Sequence, residues 1–354
     1  MDPGLPAEDR VLTAALAAFG VDEDRYWELI FELEDRSDDD TFLMAAQLTG
    51  SNDPKSRAVG LDVLGRLGAV HDHPWKESTI PIAVAATADE DPAVIASAIS
   101  ALGHLNDKRG LEAILHRAAH PSVDIRRHVA LAIAGPAGDP PDPRAVDVVI
   151  ALMRDPDDFV RDWATFVLGT QFSTDGATIR RALWGCLDDE DPDVRGEALV
   201  GLARRHAPNV VDSVARELEA DSCGRLVFEA AGFLKDEHLL DALALWSRSR
   251  PDDPDVVSAC RECDPAFQDE RLAAQVALLD ELDNLASARP DSPAVAMYCE
   301  TAATGWNDPF GSQVLIQIGS DDTRAWEVDS LLERAQRDPA GAAALAFTDW
   351  TGVD

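Results

Sequence analysis

Cys260-Arg261-Glu262-Cys263 places two thiols three residues apart, the spacing of a redox pair or of half a metal site. No second CxxC follows, and no His lies within about twenty residues of it. Residues 256–263 read as a helix, on which residues three apart are neighbours, so packing explains the pair more simply. The eight His stand at 71, 73, 104, 116, 120, 128, 206 and 238, and none is followed by Glu. His71-Asp72-His73 has the donors for a metal but reads as a surface loop. No Gly-x-Ser-x-Gly, Gly-x-x-x-x-Gly-Lys or Gly-x-Gly-x-x-Gly occurs, so serine hydrolase and P-loop readings lack an anchor. Five unevenly spaced Cys do not make a secreted disulfide framework. The expectation is no catalytic residue, no cofactor and no metal.

Composition narrows the partners. The 354 residues carry a formal net charge of −35. Such a surface repels nucleic acid and anionic membranes and attracts basic partners. Four Lys against twenty-seven Arg also fit a general compositional background that needs no functional explanation. The N-terminal MDPGLPAEDR lacks the basic region of a signal peptide. The apolar stretch from Val11 to Val21 is too short to span a bilayer. A soluble cytoplasmic protein is expected.

The elements that position any site come from a motif that returns every thirty to forty residues: Asp-Pro, an aliphatic residue, often Arg, then a run of Ala and Leu. Copies start at Asp53-Pro54, Asp91-Pro92, Asp155-Pro156 and Asp191-Pro192, with a variant at His120-Pro121. Asp is a good N-cap, and Pro suits the first helical position because its missing N–H has no partner there anyway. Each unit reads as helix A, an acidic turn and helix B. The B helices align on Ser56, Val94, Ile125, Val160, Val194, Leu226 and Val256. Small residues recur four positions on (Gly60, Ala98, Ala164, Ala198, Ala230) and aliphatic ones eight positions on (Leu64, Leu102, Ile133, Leu168, Leu202, Leu234). Gly65, Gly103, Gly135 and Gly169 read as helix ends. Ser292-Pro293-Ala294-Val295 echoes Asp91-Pro92-Ala93-Val94. Residues 322–326 likewise echo 142–146, so the repeats are expected to continue, degenerately, to the end. Gln313 to Ile318 alternates like a strand, though a helix is favoured.

This pattern resembles the HEAT repeat, most closely the short HEAT-like repeats of phycobilisome lyases. Asp-Pro-Asp-Val-Arg at 191–195, Asp-Pro-Ala-Val-Ile at 91–95, Asp-Pro-Lys-Ser-Arg at 53–57 and Ala-Leu-Gly at 101–103 carry the resemblance. It implies an all-α, right-handed α-α superhelix of the HEAT or armadillo type, a solenoid of about seven to nine helical pairs. The expected layout is an N-terminal helical cap over 1–50, with helices near 8–19 and 22–36. Repeats follow over 51–265, then degenerate repeats or a cap over 266–354. The recurring Arg57, Arg126, Arg161 and Arg195 are expected to pair with turn Asp residues as a ladder between repeats. The HEAT-repeat hydroxylases hold iron on His-Glu pairs, which this chain lacks. The HEAT-like DNA glycosylases need a basic groove, and here the charge has the opposite sign.

In such solenoids the B helices line the concave face. Opposite the core stripe stand Arg127, His128 and Leu131, then Trp163 and Phe166, then Glu197, Val200 and Arg204, then Phe228 and Glu229. Aromatic side chains among charges mark an interaction surface. A non-catalytic scaffold is therefore expected, binding a basic or amphipathic protein or peptide and neither nucleic acid nor membrane. Two alternatives remain at this stage. One is a lyase-type enzyme acting on a tetrapyrrole or another modification substrate; the other is an acidic inhibitor or immunity-type protein of a basic enzyme.

Overall fold

The structure is a computed structural model that describes residues 9–36, 38–69, 73–220, 222–289, 293–301, 312–319 and 325–351. His71 and Asp72 lie outside the described residues. The chain divides into two compact units, Met1–Cys186 and Leu187–Asp354.

The first unit opens with α1 (Arg10–Ala18), α2 (Glu23–Arg36) and α3 (Asp39–Thr49), the first two where the sequence places them. Helix pairs follow. The B helices are α4 (Pro54–Arg66), α6 (Pro92–Leu105), α8 (Val123–Ala132) and α11 (Asp158–Phe166). Between them run α5 (Lys76–Ala86), α7 (Leu111–Leu115), the short α9 (Ala134–Ala137) and α10 (Pro143–Leu152), and α12 (Ala177–Cys186) closes the unit. Each B helix packs on the next, α4 on α6, α6 on α8 and α8 on α11. Ala98, Val129 and Ala164, the middle positions, are fully buried. A β-carbon on Gly60 would come within 2.7 Å of the Ala45 carbonyl oxygen, so the backbone itself makes that contact.

The turns explain the Asp-Pro signature. Asp53 and Asp91 cap α4 and α6, with Pro in the first turn. At Asp155-Pro156 the cap is displaced by two residues, because Asp157 caps α11. The residue two before each cap position accepts that residue's backbone N–H: Ser51, Asp89, His120 and Asp155 do so at 2.9–3.1 Å. Asp89 and Asp155 have a second task. Arg57 forks onto Asp89 at 2.8 and 2.9 Å, and Arg126 onto Asp155 at 2.6 and 2.9 Å. The expected ladder is present there, built on the Asp ahead of the cap. Gly65 and Gly103 are not helix ends. A β-carbon on Gly65 would fall 2.5 Å from Ala101 Cα, and one on Gly103 2.9 Å from Ala132 Cα, so both let helices approach closely.

The second unit carries α13 (Pro192–Arg204), α14 (Val210–Leu218), α15 (Arg225–Leu234), α16 (Leu240–Ser249) and α17 (Pro254–Cys263). Here α13 packs on α15 and α15 on α17. Asp191 and Asp253 cap α13 and α17 ahead of Pro. The long α18 (Pro265–Ser287) follows, then β1 (Val295–Thr301), β2 (Ser312–Ile318), β3 (Ala325–Glu327), α19 (Val328–Arg334) and α20 (Pro339–Thr351).

The strands correct two expectations. Residues 313–318 form the central strand, not a helix, and the echoes at Val295 and Ala325 enter strands as well. β2 pairs antiparallel with β1 (Val295 opposite Ile318) and with β3 (Ile316 opposite Trp326). Ile316 and Ile318 are fully buried with Leu278, Leu282, Val328 and Phe347. Strand alternation thus feeds one apolar face onto α18 and the last two helices.

Candidate functional site

The Asp157 carboxylate anchors the surface that the sequence singles out. It caps α11 through the Val160 N–H at 3.1 Å and accepts Arg127 Nε and Nη2 at 3.0 and 2.7 Å. A cap on one B helix thereby fixes a side chain of the preceding one. The Arg127 bond holds the Asp157 carboxyl below the usual carboxylate range. The same guanidinium lies over the Phe159 ring, 5.4 Å from its centroid.

From Phe159 the aromatics continue along one face of α11 at i, i+4 and i+7. Phe159 and Trp163 centroids are 6.1 Å apart, and Trp163 meets Phe166 edge-on at 5.5 Å. Such edge-to-face packing orders the rings against one another. Trp163 and Phe166 are half-buried, Phe159 is 39% exposed, and Leu131 on α8 is 43% exposed. His128 Nδ1 donates to the Asp124 carbonyl oxygen at 2.7 Å, which fixes the ring on α8. Asp124 and Asp158 are exposed, and Asp157 and Asp162 are half-buried. The arrangement is a rigid aromatic row with an acidic border, shaped for contact with apolar and basic groups.

In the second unit the candidates separate. Val200, Arg204 and Phe228 are 1%, 3% and 2% exposed and have no surface to offer a partner. Phe228 packs edge-on against Trp246 of α16 at 5.8 Å, and the Arg204 guanidinium covers Phe233 at 5.5 Å. The helical-wheel argument placed them outward, but Phe228 and Arg204 reach aromatic rings elsewhere in the unit, and Val200 is covered as well. Glu197 and Glu229 are half-buried, and Arg225 holds Glu229 at 2.7 Å. Phe159 was missed. Its signal was the i−4 spacing from Trp163, hidden because it precedes the first aligned core position.

Cys260 is half-buried and Cys263 is buried, both as free thiols. Cys263 Sγ donates to the Ala231 carbonyl at 3.3 Å, and burial pushes its pKa up to about 11. A thiol so held is packing, not a poised nucleophile. Among the described residues, no three His, Cys, Asp or Glu side chains are grouped to hold a metal ion. Among the same residues, no helix is long and apolar enough to cross a membrane.

Comparison with known proteins addresses the fold. A family model described as HEAT repeats matches residues 43–134 and 80–169. Protein YibA of Escherichia coli K12 is 31% identical over 138 residues, 39% of this chain and 48% of YibA. The chain thus spans about half the length of the curated relatives it matches. An X-ray structure of Escherichia coli YibA superposes with a TM-score of 0.56 at 23% identity, covering 72% of this chain and 91% of that one. A HEAT-like repeats protein from the archaeon Thermococcus onnurineus NA1 gives a TM-score of 0.44 at 14% identity, over 66% of this chain and 96% of that one. The YibA likeness shows the fold of helix-pair repeats over the part of the chain that it covers.

Proposed function

Because the chain is a HEAT-repeat protein, we propose that it is a non-catalytic scaffold that binds a basic or amphipathic protein or peptide across α8 and α11 of its first unit. One observation carries this reading. Phe159, Trp163 and Phe166 form an ordered aromatic row on α11 that reaches solvent at Phe159, and Leu131 of α8, the helix packed against it, is exposed as well. Half-exposed aromatics already held by their neighbours bind with little loss of side-chain freedom. Arg127 and His128 flank the row, and the acidic border favours cationic groups around apolar anchors. The scaffold acts in the cytoplasm, and residues 1–50 and 266–354 close the ends of the repeat array over 51–265.

Selection of ligands from a random peptide library tests it. Basic sequences with apolar anchors are expected, bound more weakly as salt rises. The double change Trp163→Ala and Phe166→Ala should lower their affinity about tenfold or more, with the circular dichroism spectrum unchanged. Acidic or featureless ligands, or binding that survives the double change, would overturn the assignment.

A further inference from the structure

Phe267, in the first turn of α18, meets two guanidinium groups: Arg261 of α17 at 4.6 Å and Arg337, just after α19, at 4.8 Å from the ring centroid. These residues line a small open cleft of about 130 Å³ together with Ser258, Arg271 and Glu333. We propose that this cleft binds a small ligand bearing an oxyanion, phosphate or carboxylate, through Arg261 and Arg337.

The other cation of the cleft is already satisfied. Arg271 reaches Glu262 at 3.3 Å and also bonds Asp329. Lys235 reaches the same Glu262 at 3.0 Å. Among the described residues neither Arg261 nor Arg337 makes an ion pair. Arg57, Arg109, Arg126, Arg127 and Arg144 are paired, whereas these two, like several other Arg of the chain, are not; what sets them apart is that both meet on one ring. Both guanidinium carbons lie over the Phe267 ring, which fixes where the two groups sit. Their N–H edges are left for a fork-shaped acceptor, the geometry that carboxylate and phosphate match. Ser258 adds a hydroxyl donor at the wall. Glu262, Asp329 and Glu333 also line the cleft; Arg271 pairs with the first two, which leaves Glu333 against Arg261 and Arg337.

The backbone points the same way. Gln336 and Arg337 both adopt left-handed φ, 53° and 64°. The turn ends α19, with the Arg337 N–H donating to the Leu332 carbonyl at 2.6 Å. Glycine meets least resistance in that conformation. An Arg there is disfavoured by its own backbone, yet its side chain is what reaches Phe267.

This conformation supplies a clean test on the full chain. Inorganic phosphate and succinate are titrated separately at constant ionic strength, followed by calorimetry and by thermal unfolding. Saturable binding of phosphate, of succinate or of both supports the site and identifies the oxyanion. Arg337→Gly should keep or raise the unliganded Tm, since Gly relieves the left-handed residue, while affinity falls about tenfold. Arg261→Gln should lose a similar factor. Absence of saturable binding by either anion, or affinity unchanged in both variants, would overturn the proposal. It stands or falls independently of the surface on α8 and α11.

Discussion

The Tyr26 hydroxyl donates to Asp62 Oδ2 across 2.6 Å, joining α2 to α4 through a carboxylate that is only 7% exposed. Ser97 of α6 also favours the charged form of this carboxylate. Helices α2, α4 and α6 therefore all bear on one acidic side chain.

That meeting has a pH signature. Burial pushes the Asp62 carboxyl up to about 6, against Tyr26, Ser97, His128 and Arg66, which all favour its charged form. In the unfolded chain it titrates near about 4. Between those values the folded state binds more protons than the unfolded one, so stability falls as pH rises through the window. Above it the gap amounts to roughly 3 kcal/mol. Asp62→Asn keeps an acceptor for Tyr26 and turns an amide toward Ser97. Urea unfolding should find the variant more stable than the parent at pH 8 and nearly equal to it at pH 4. A difference that does not change with pH would show that the buried charge is not its cause.

Two glycines make opposite predictions at equal chemistry. Gly65→Ala drives a β-carbon to 2.5 Å from Ala101 Cα, backbone against backbone, and should cost about 2 kcal/mol or more. Gly232, inside α15, has nothing within 4 Å of the added carbon, so Gly232→Ala should gain about 0.5–1 kcal/mol from helix propensity. Chemical denaturation of the pair checks both. Equal effects would mean that the α4–α6 approach is looser than described.

Legibility in the sequence followed the range of the interaction. The helix starts at Pro54, Pro92 and Pro192 were readable because Asp before Pro settles a helix entry locally. The α11 start was misplaced by two residues, since Asp155 and Asp157 are both acidic and only Arg126 and Arg127 distinguish their tasks. Trp163 and Phe166 were legible as one face of a helix. Phe228 was not, because its fate depends on Trp246, eighteen residues on. Asp62 was invisible for the same reason, as Tyr26 and Ser97 lie on other helices. β2 was misjudged because its partner strands, not its own short pattern, decide its conformation.

Thiol reactivity offers a separate check on the second unit. Burial pushes both Cys223 and Cys263 up to about 11 and also raises Cys260. A raised pKa leaves less thiolate, the species that alkylates. Iodoacetamide at pH 8 should therefore label these three slowly in the folded chain and rapidly in denaturant, as read by peptide mass spectrometry. Rapid labelling of Cys263 in the native protein would show that α17 opens or that its seat against Ala231 is not formed.

The ladder on Asp155 tests whether the turns hold neighbouring repeats together by geometry or by charge alone. Arg126 uses its fork on Asp155 and another nitrogen on the His120 carbonyl at 3.0 Å, while Asp155 also accepts the Asp157 N–H. Lysine keeps the charge but cannot make the fork and the carbonyl bond together. With the pair mostly shielded from solvent, Arg126→Lys should cost about 1–3 kcal/mol in urea unfolding. Burial alone would raise the Asp155 carboxyl, but Arg126 and the Asp157 N–H outweigh it, so its pKa sits below the usual value. A depressed carboxylate contributes stability that is present above its unfolded pKa and lost as pH falls through the folded one. The deficit of the variant should therefore shrink below about pH 4. In α6 the ladder position is held by Ile95, and His120 stands where the next Asp would be, so a lysine there is expected to gain no such partner. If Arg126→Lys unfolds with the parent within about 0.5 kcal/mol, the fork carries no weight and the repeats are held by their apolar faces alone.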